Sequence, residues 1–485
     1  MSSDILNNPV THAGPPTELP PNAGRAAAGI AIVLIAQLMI VLDATVVNVA
    51  LPRIDADLDF GPASLSWVLN AYTLAFGGLL LLGGRLGDVF GRLRVFEIGL
   101  AVFTVGSALG GLAQTPGQLV AARTLQGVGA ALAAPSVLAL LTTSAPDEAA
   151  RNRALALFGA VSSGGASIGL ILGGLLTDVG SWRWTLFINV PLGIAVLLLA
   201  RRFVTETARR PGRFDLVGAA SATIGAVSIV WALIGAPDHG WTSVRTIGGI
   251  VLGVAFLLLL ARTETRHPHP MIQPHLVRNK RRVGALAVMA LVIGANLSMF
   301  FLVVQYAQRV LGFGPLASGF AFLPFSLGIF GMSRLTPWLI GRIGPRAMLM
   351  SGTAAMTIGY AWLSAAGTDG TYWGSIFGPM LIAGLATGLV FMPISVTVLS
   401  GVEPEHAGSA SGLLQTTQQL GAAVGIAVIV SVYAAGATPG EFVPGLQAAF
   451  LTSAAFCAMA LVVSAVVLRP ARPVATPEPA YVEAA

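Results

Sequence analysis

The sequence predicts an all-α polytopic membrane protein: two six-helix bundles with two extra helices between them, about 14 transmembrane helices in all by the ~20-residue criterion for a span. Three observations carry this. Of 485 residues, 55% are hydrophobic and 10% charged, with a mean hydropathy of +0.80, where soluble chains carry about 25% charged residues. Apolar runs long enough to span a bilayer as a helix recur from end to end. A short, basic, Gly-rich sequence occurs twice, as Gly84-Arg-Leu-Gly-Asp-Val-Phe-Gly-Arg92 and Gly341-Arg-Ile-Gly-Pro-Arg346, each joining the second and third spans of a set of six.

The first six spans fall near 27–51, 66–84, 95–114, 118–142, 154–176 and 184–200. Two follow near 216–236 and 246–263, between Arg-rich loops that mark them as an insertion. The last six fall near 283–307, 317–340, 347–366, 373–399, 408–435 and 446–468. The chain thus divides into a tail (1–25), a first bundle (26–202), the two-helix insertion (203–278), a second bundle (279–468) and a second tail (469–485).

Positive charge sets the orientation. With the N-terminus in the cytoplasm, the inner side receives Arg25, Arg85/Arg92/Arg94, Arg151/Arg153, Arg201/Arg202/Arg209/Arg210/Arg213, Arg262/Arg266/Arg278/Lys280/Arg281/Arg282, Arg342/Arg346 and Arg469/Arg472. The outer side keeps Arg53, Arg183, Arg245 and Arg309. Both termini are expected inside. The loop around Glu403–His406 is acidic and runs against the rule.

Several function classes are excluded. Ten-residue alternating segments of a membrane barrel are absent. The start lacks the basic and apolar parts of a signal peptide. The single cysteine, Cys457, permits no disulfide or thiolate cluster within one chain, and the six histidines form no metal set. No phosphate-cradling Gly-x4-Gly-Lys-Ser/Thr occurs, and Lys280 is the lone lysine. The +6 net charge resides in inter-helix loops, so nucleic acid is not an expected partner. No cofactor is expected.

The chemistry is expected at Asp43. It lies in Leu42-Asp-Ala-Thr-Val-Val-Asn48-Val-Ala-Leu-Pro52, inside an apolar run. A carboxylate there costs roughly 2.5–3.5 kcal/mol on insertion scales, and intramembrane acids mark ion pathways. Burial disfavours the charged form, which makes Asp43 a usable proton carrier. Arg123 lies in the fourth span, with Gln126 on its face one turn on. An unpaired guanidinium at that depth is costly, so Arg123 should find a partner or a wet cavity. In the fifth span Gly165, Gly169, Gly173 and Gly174 form a small-residue face for close helix packing. Asn48, Gln126, Phe301, Gln305, Phe320 and Phe325 are candidates to line a substrate cavity.

Taken together, these motifs resemble the major facilitator superfamily, and within it the fourteen-helix drug:proton antiporters. The carriers are Leu42 to Pro52; Gly84-x-Leu-Gly-Asp88-x-Phe-Gly91-Arg92; Leu119-x3-Arg123-x2-Gln126-Gly127; Gly165-x3-Gly169; and Trp182-Arg-Trp184-Thr-Leu-Phe-Ile-Asn189-Val-Pro191. The resemblance implies that Asp43 and Arg123 couple proton movement. It also implies that Gly84, Asp88, Gly91 and Arg92 form a conformational gate. Two departures stand out: Val89 replaces a usual basic residue of the gate loop, and Leu170 replaces the proline of the antiporter signature. Trp182 and Trp184 suit an aromatic belt at the membrane surface, and the Trp182–Pro191 stretch reads as structural.

The implied function is export of amphipathic or lipophilic, often cationic, compounds from a bacterial cytoplasmic membrane. The proton motive force drives it, by alternating access. Expected partners are small lipophilic substrates, protons and membrane lipids, and a monomer is expected. Export of an endogenous lipid or natural product, and an uncoupled facilitator, remain open as other readings.

Overall fold

The computed structural model describes residues 23–60, 64–206, 216–266, 274–402, 407–437 and 442–467. Both tails beyond 23–467, Asp215 (expected to cap the first inserted helix) and the Glu403–His406 loop lie outside them.

Every long element is a helix. The first bundle comprises α1 (Ala23–Leu58), α2 (Trp67–Phe90), α3 (Arg92–Gly111), α4 (Pro116–Thr143), α5 (Glu148–Val179) and the pair α6 (Trp184–Phe187) and α7 (Asn189–Phe203). Two helices that pack on each other follow, α8 (Leu216–His239) and α9 (Val244–Arg266). A short α10 (Pro274–Arg278) leads to α11 (Lys280–Arg309), α12 (Pro315–Phe320), α13 (Leu323–Leu363), α14 (Gly378–Leu399), α15 (Ala407–Gly436) and α16 (Val443–Val466). α13 breaks at Gly344, whose φ is +76°. Among the described residues ten helices are long and apolar enough to cross a membrane, counting Pro315–Leu363 once; α2, bent by 50°, makes an eleventh.

The two bundles pack alike. α1 lies on α5 and α7, and α3 on α4; correspondingly, α11 lies on α15 and α16, and α13 on α14. The halves meet through α2 with α15, α5 with α12, and α1 with α11. α8 docks on α2 and α15. The first half's core gathers around Phe96, Phe103 and Leu140, and a larger core includes Phe301, Tyr306 and Phe450.

Backbone geometry puts the repeat in register. Asp59 and Gly312 are both left-handed (φ +55° and +70°), as are Gly91 and Gly344 (φ +107° and +76°), and each pair is 253 residues apart. Phe60-Gly-Pro62 recurs as Phe313-Gly-Pro315 at the same spacing. Left-handed φ favours glycine, which accounts for three of the four residues. The sequence reading matched the Gly84 and Gly341 loops but missed the Phe-Gly-Pro pair.

Candidate functional site

α1 positions Asp43. Its hydroxyl and amide neighbours are bound back to their own helix, Thr45 to Val41 and Leu42 carbonyls and Asn48 to the Ala44 carbonyl. Asp43 is left to face the bundle, 1% exposed. α4 starts with a sharp cap: Thr115 Oγ1 accepts from the Gln118 amide, and Pro116 opens the helix, where its missing N–H costs nothing. Two turns on, Arg123 is equally buried.

The two charges meet. Arg123 donates to Asp43 Oδ2 at 2.6 Å, with both side chains sealed from solvent. The other Asp43 oxygen accepts from Gln126 Nε2 and Asn189 Nδ2, each at 2.8 Å. Gln126 Oε1 accepts from Arg123 at 2.9 Å, and its amide also donates to Ser107 Oγ at 2.7 Å. Arg123 Nε donates to the Val68 carbonyl at 2.9 Å, and the guanidinium lies 4.6 Å above the Tyr72 ring. One carboxylate thus accepts from three side chains on α4 and α7, while Arg123 also engages α2. Such charge-assisted bonds are the strong ones. The partner expected for Arg123 is the acid itself.

Asn189 was read from sequence as structural, and the structure brings it onto Asp43. Trp182 is not in a lipid-facing belt: it is buried, and it donates to Asp57 at 2.9 Å beside Arg183 at 2.7 Å. Trp184 is 55% exposed. Glu97 is buried against Arg201 at 3.0 Å.

The small-residue face of α5 lies on α1. A Cβ at Gly165 would meet Val41, at Gly169 the Thr45 hydroxyl, and at Gly173 the Val46 carbonyl. Gly174 faces the other half, where a Cβ would sit 2.6 Å from the Pro315 carbonyl. α5 runs unbroken through Leu170, whose carbonyl lies against Gly319. With leucine at this position α5 reaches the second half through its backbone.

Where α2 meets α3, Asp88 pairs with Arg92 at 2.6 Å, and Arg92 also donates to the Pro135 carbonyl at 3.2 Å. Gly91 has a left-handed φ, and a Cβ there would strike Glu206. That carboxylate accepts from the Leu93 and Arg94 amides at 2.8 and 3.1 Å, capping the start of α3. Gly84 faces Pro135 at ordinary contact distance.

At the opposite end the halves are tied. Arg309 pairs with Asp55 at 2.8 Å, and Gln308 donates to the Val49 carbonyl at 3.0 Å. Pro52, inside α1, lacks the N–H that would engage the Asn48 carbonyl, next to the Val49 carbonyl that Gln308 binds. A surface hollow at this junction is lined by Pro52, Asp55, Gln308, Arg309 and Phe313.

The expected cavity residues divide. Phe301 and Phe325 are buried in the second core, and Phe325 stacks edge-on with Phe300. Phe320 is 45% exposed. Asn48 Oδ1 and Gln305 Nε2 are buried without a protein partner. Gln126 belongs to the Asp43 cluster.

A model of the Major Facilitator Superfamily matches residues 33–426. The chain belongs to the major facilitator superfamily. Members of this superfamily are transporters, so the chain is a membrane transporter and not an enzyme. Cephamycin export protein CmcT of Amycolatopsis lactamdurans is 41% identical over 432 residues, covering 87% of this chain and 88% of that protein. Puromycin resistance protein pur8 of Streptomyces alboniger is 38% identical over 453 residues, 90% of each. Multidrug resistance protein Stp of Mycobacterium tuberculosis is 34% identical over 398 residues, 82% and 74%. Among solved structures, a POT family transporter in complex with a thioalcohol-conjugated peptide superposes with a TM-score of 0.68 at 14% identity, covering 91% and 95% of the two chains. The human organic anion transporter MFSD10 (TETRAN) gives 0.59 at 16%, covering 92% and 100%. The structural likenesses speak for the facilitator fold alone.

Proposed function

We propose that this transporter exports amphipathic or lipophilic compounds, often cationic, in exchange for protons, by alternating access across fourteen spans with both termini in the cytoplasm of a bacterium. The observation that carries this is the sealed Asp43–Arg123 pair. An acid and a base buried together inside a transporter bundle give a proton somewhere to bind.

The proton's effect follows from the geometry. A proton on Asp43 Oδ2 turns an acceptor into a donor facing the Arg123 donor, so the ion pair must open. α1 carries that change outward. Val49 and Asp55, which bind the second half, lie 6 and 12 residues beyond Asp43, about 9 and 18 Å at ~1.5 Å per residue. By the positive-inside rule the Asp55–Arg309 end is external, and the halves joined there correspond to the inward-facing state. An external proton binds Asp43 when the halves open outward and leaves toward the cytoplasm after they rock, while the substrate travels the other way. The orphaned amide atoms of Asn48 and Gln305 suit polar contact with substrate near the midplane.

Everted vesicles carrying the wild type and Asp43→Asn test the reading. Proton-driven accumulation of ethidium should be lost in the variant. Undiminished uptake by Asp43→Asn would sink it.

The relatives named for cephamycin export and puromycin resistance favour a second reading, export of a natural product made by the cell itself. A deletion strain that accumulates such a compound, with unchanged dye sensitivity, would support it.

A further inference from the structure

The repeat allows the two halves to be compared residue by residue, and it identifies a second buried polar cluster. The 253-residue spacing set by the left-handed pairs continues through α3: Gly99 and Gly352, and Gly106 and Gly359, make the same close approaches to their neighbours. Across the next helix the spacing becomes 257. A Cβ at Gly106 would meet the Ala122 carbonyl and the Gln126 amide, and at Gly359 the Pro379 carbonyl and the Ala383 amide. At Gly127 it would strike the Tyr72 carbonyl, and at Gly384 that of Phe325; residues 72 and 325 are again 253 apart.

In this register Asp43 corresponds to Asn296, Ser107 to Tyr360, Arg123 to Met380 and Gln126 to Ala383. Asn296 is 2% exposed and is hydrogen-bonded from the third helix of its half, where Asp43 is bonded from α4 and α7 instead: Tyr360 donates its phenol to Asn296 Oδ1 at 2.8 Å. Asn296 Nδ2 donates to Thr387 Oγ1 at 3.4 Å, and Thr387 itself donates to the Ala383 carbonyl at 2.7 Å. Met380 and Ala383 are wholly buried. The glycine packing is repeated, but both charges are gone. Their joint loss is what buried electrostatics demands, because either charge alone would be left uncompensated. Among the described residues of α11–α16 the one buried charged side chain is Arg282, near the start of α11, where it binds the Val398, Leu276 and Ser400 carbonyls.

We infer that the Asn296–Tyr360–Thr387 cluster is a charge-silenced second copy of the proton site, and that Asn296 is the residue that holds the transporter to one proton per cycle. This rests on the proposed function. A carboxyl at position 296 would be served in both forms: ionised, it accepts from Tyr360; protonated, it donates to Thr387. Asn296→Asp therefore installs a second proton site in an existing frame.

The test is the static-head ethidium ratio in vesicles at zero membrane potential, as a function of the imposed pH difference. Each coupled proton contributes a factor of about 10 per pH unit. The wild type should give about 10-fold per unit and Asn296→Asp about 100-fold. The paired variant Asn296→Leu/Tyr360→Phe removes both hydrogen-bonding partners and should keep the wild-type slope. A wild-type slope near 100-fold overturns the inference. So does an unchanged slope in a transporting Asn296→Asp, or a lost slope in the paired variant, which also decides the case if Asn296→Asp does not fold. Asp43→Asn separates the two claims. If it keeps its coupling, the proposed function fails and takes this inference with it. If it loses coupling while Asn296→Asp changes nothing, only the silent site is refuted.

Discussion

Neutralising one member of the Asp43–Arg123 pair should damage the fold more than neutralising both. In Asp43→Asn, three donors from Arg123, Gln126 and Asn189 converge on a side chain with a single acceptor oxygen and two donor hydrogens. Arg123 keeps the Val68 and Gln126 oxygens but no counter-charge. With charge centres about 4 Å apart, the attraction lost is ~4 kcal/mol at an effective dielectric of about 20. Breaking a buried pair from one side costs about 3–5 kcal/mol in practice. Arg123→Gln leaves Asp43 ionised between two amides and should cost the same order. In Asp43→Asn/Arg123→Gln no charge remains to desolvate, and amides can bridge the gap, so the double variant should lie within about 1 kcal/mol of the wild type. The interaction energy across the cycle is therefore several kcal/mol, large for a neighbouring pair. The assay is unfolding in mixed micelles for all four proteins, with ethidium transport measured in parallel. All three variants should lose proton-driven transport, and the double variant should lose it while keeping its stability. Additive stabilities, or single variants within 0.5 kcal/mol of the wild type, would refute the pairing.

Three further outcomes follow from named contacts. Asp55 and Arg309 are partly exposed, so their pair is worth about 0.5 kcal/mol; Asp55→Asn should roughly double the labelling rate of a cysteine placed at Gln308, and exchanging the two charges should reverse this. Gly173→Ala sets a methyl against the Val46 carbonyl and should destabilise by about 1–3 kcal/mol through overpacking, whereas Gly117→Ala meets nothing within 4 Å and should be tolerated, as thermal unfolding can check. Glu206→Gln weakens the cap on α3 by about 1 kcal/mol, which should speed hydrogen exchange at the Leu93 and Arg94 amides several-fold without affecting α4.

Asp43 and Arg123 were each legible in sequence because a charge in an apolar run stands out by its cost. Their contact was not. Eighty residues separate them, and what brings them together is helix packing: Gly127 of α4 on the Tyr72 backbone of α2, and Gly169 and Gly173 of α5 on α1. Glycine spacing says that a helix can approach closely, not which helix it approaches. Asn189 escaped for a different reason. An amide beside Trp and Pro at a helix start looks like local structure, and only the fold turns it inward onto Asp43. Trp182 misled in the same way, since an indole near a span end fits a membrane belt as readily as a buried donor to Asp57. The broad layout was legible because apolar length and loop charge are local properties.

The same reasoning explains why the repeat was seen in its loops and missed at its centre. The loops keep their glycines because a left-handed backbone at positions 91 and 344 leaves little choice of residue. At the centre, Asp43 and Asn296 have nearly the same shape and different charge, while Ser107 and Tyr360 share a hydroxyl and little else. A search for identical letters finds neither pair. What is retained is a hydroxyl on the third helix beside the first: Tyr360 donates directly to Asn296 at 2.8 Å in the second half, and in the first half Gln126 donates to both Asp43 and Ser107. The phenol reaches Asn296 directly, whereas Gln126 is what joins Ser107 to Asp43, so position 383 needs no bridging amide and is alanine. The loss of charge and the growth of Ser to Tyr are then one coupled change. Reversing it by Asn296→Asp alone should leave a carboxylate held by a phenol, with no arginine. A second proton site there would bind and release without an ion pair to open, so it should alter the coupling ratio more than the rate of the rocking step.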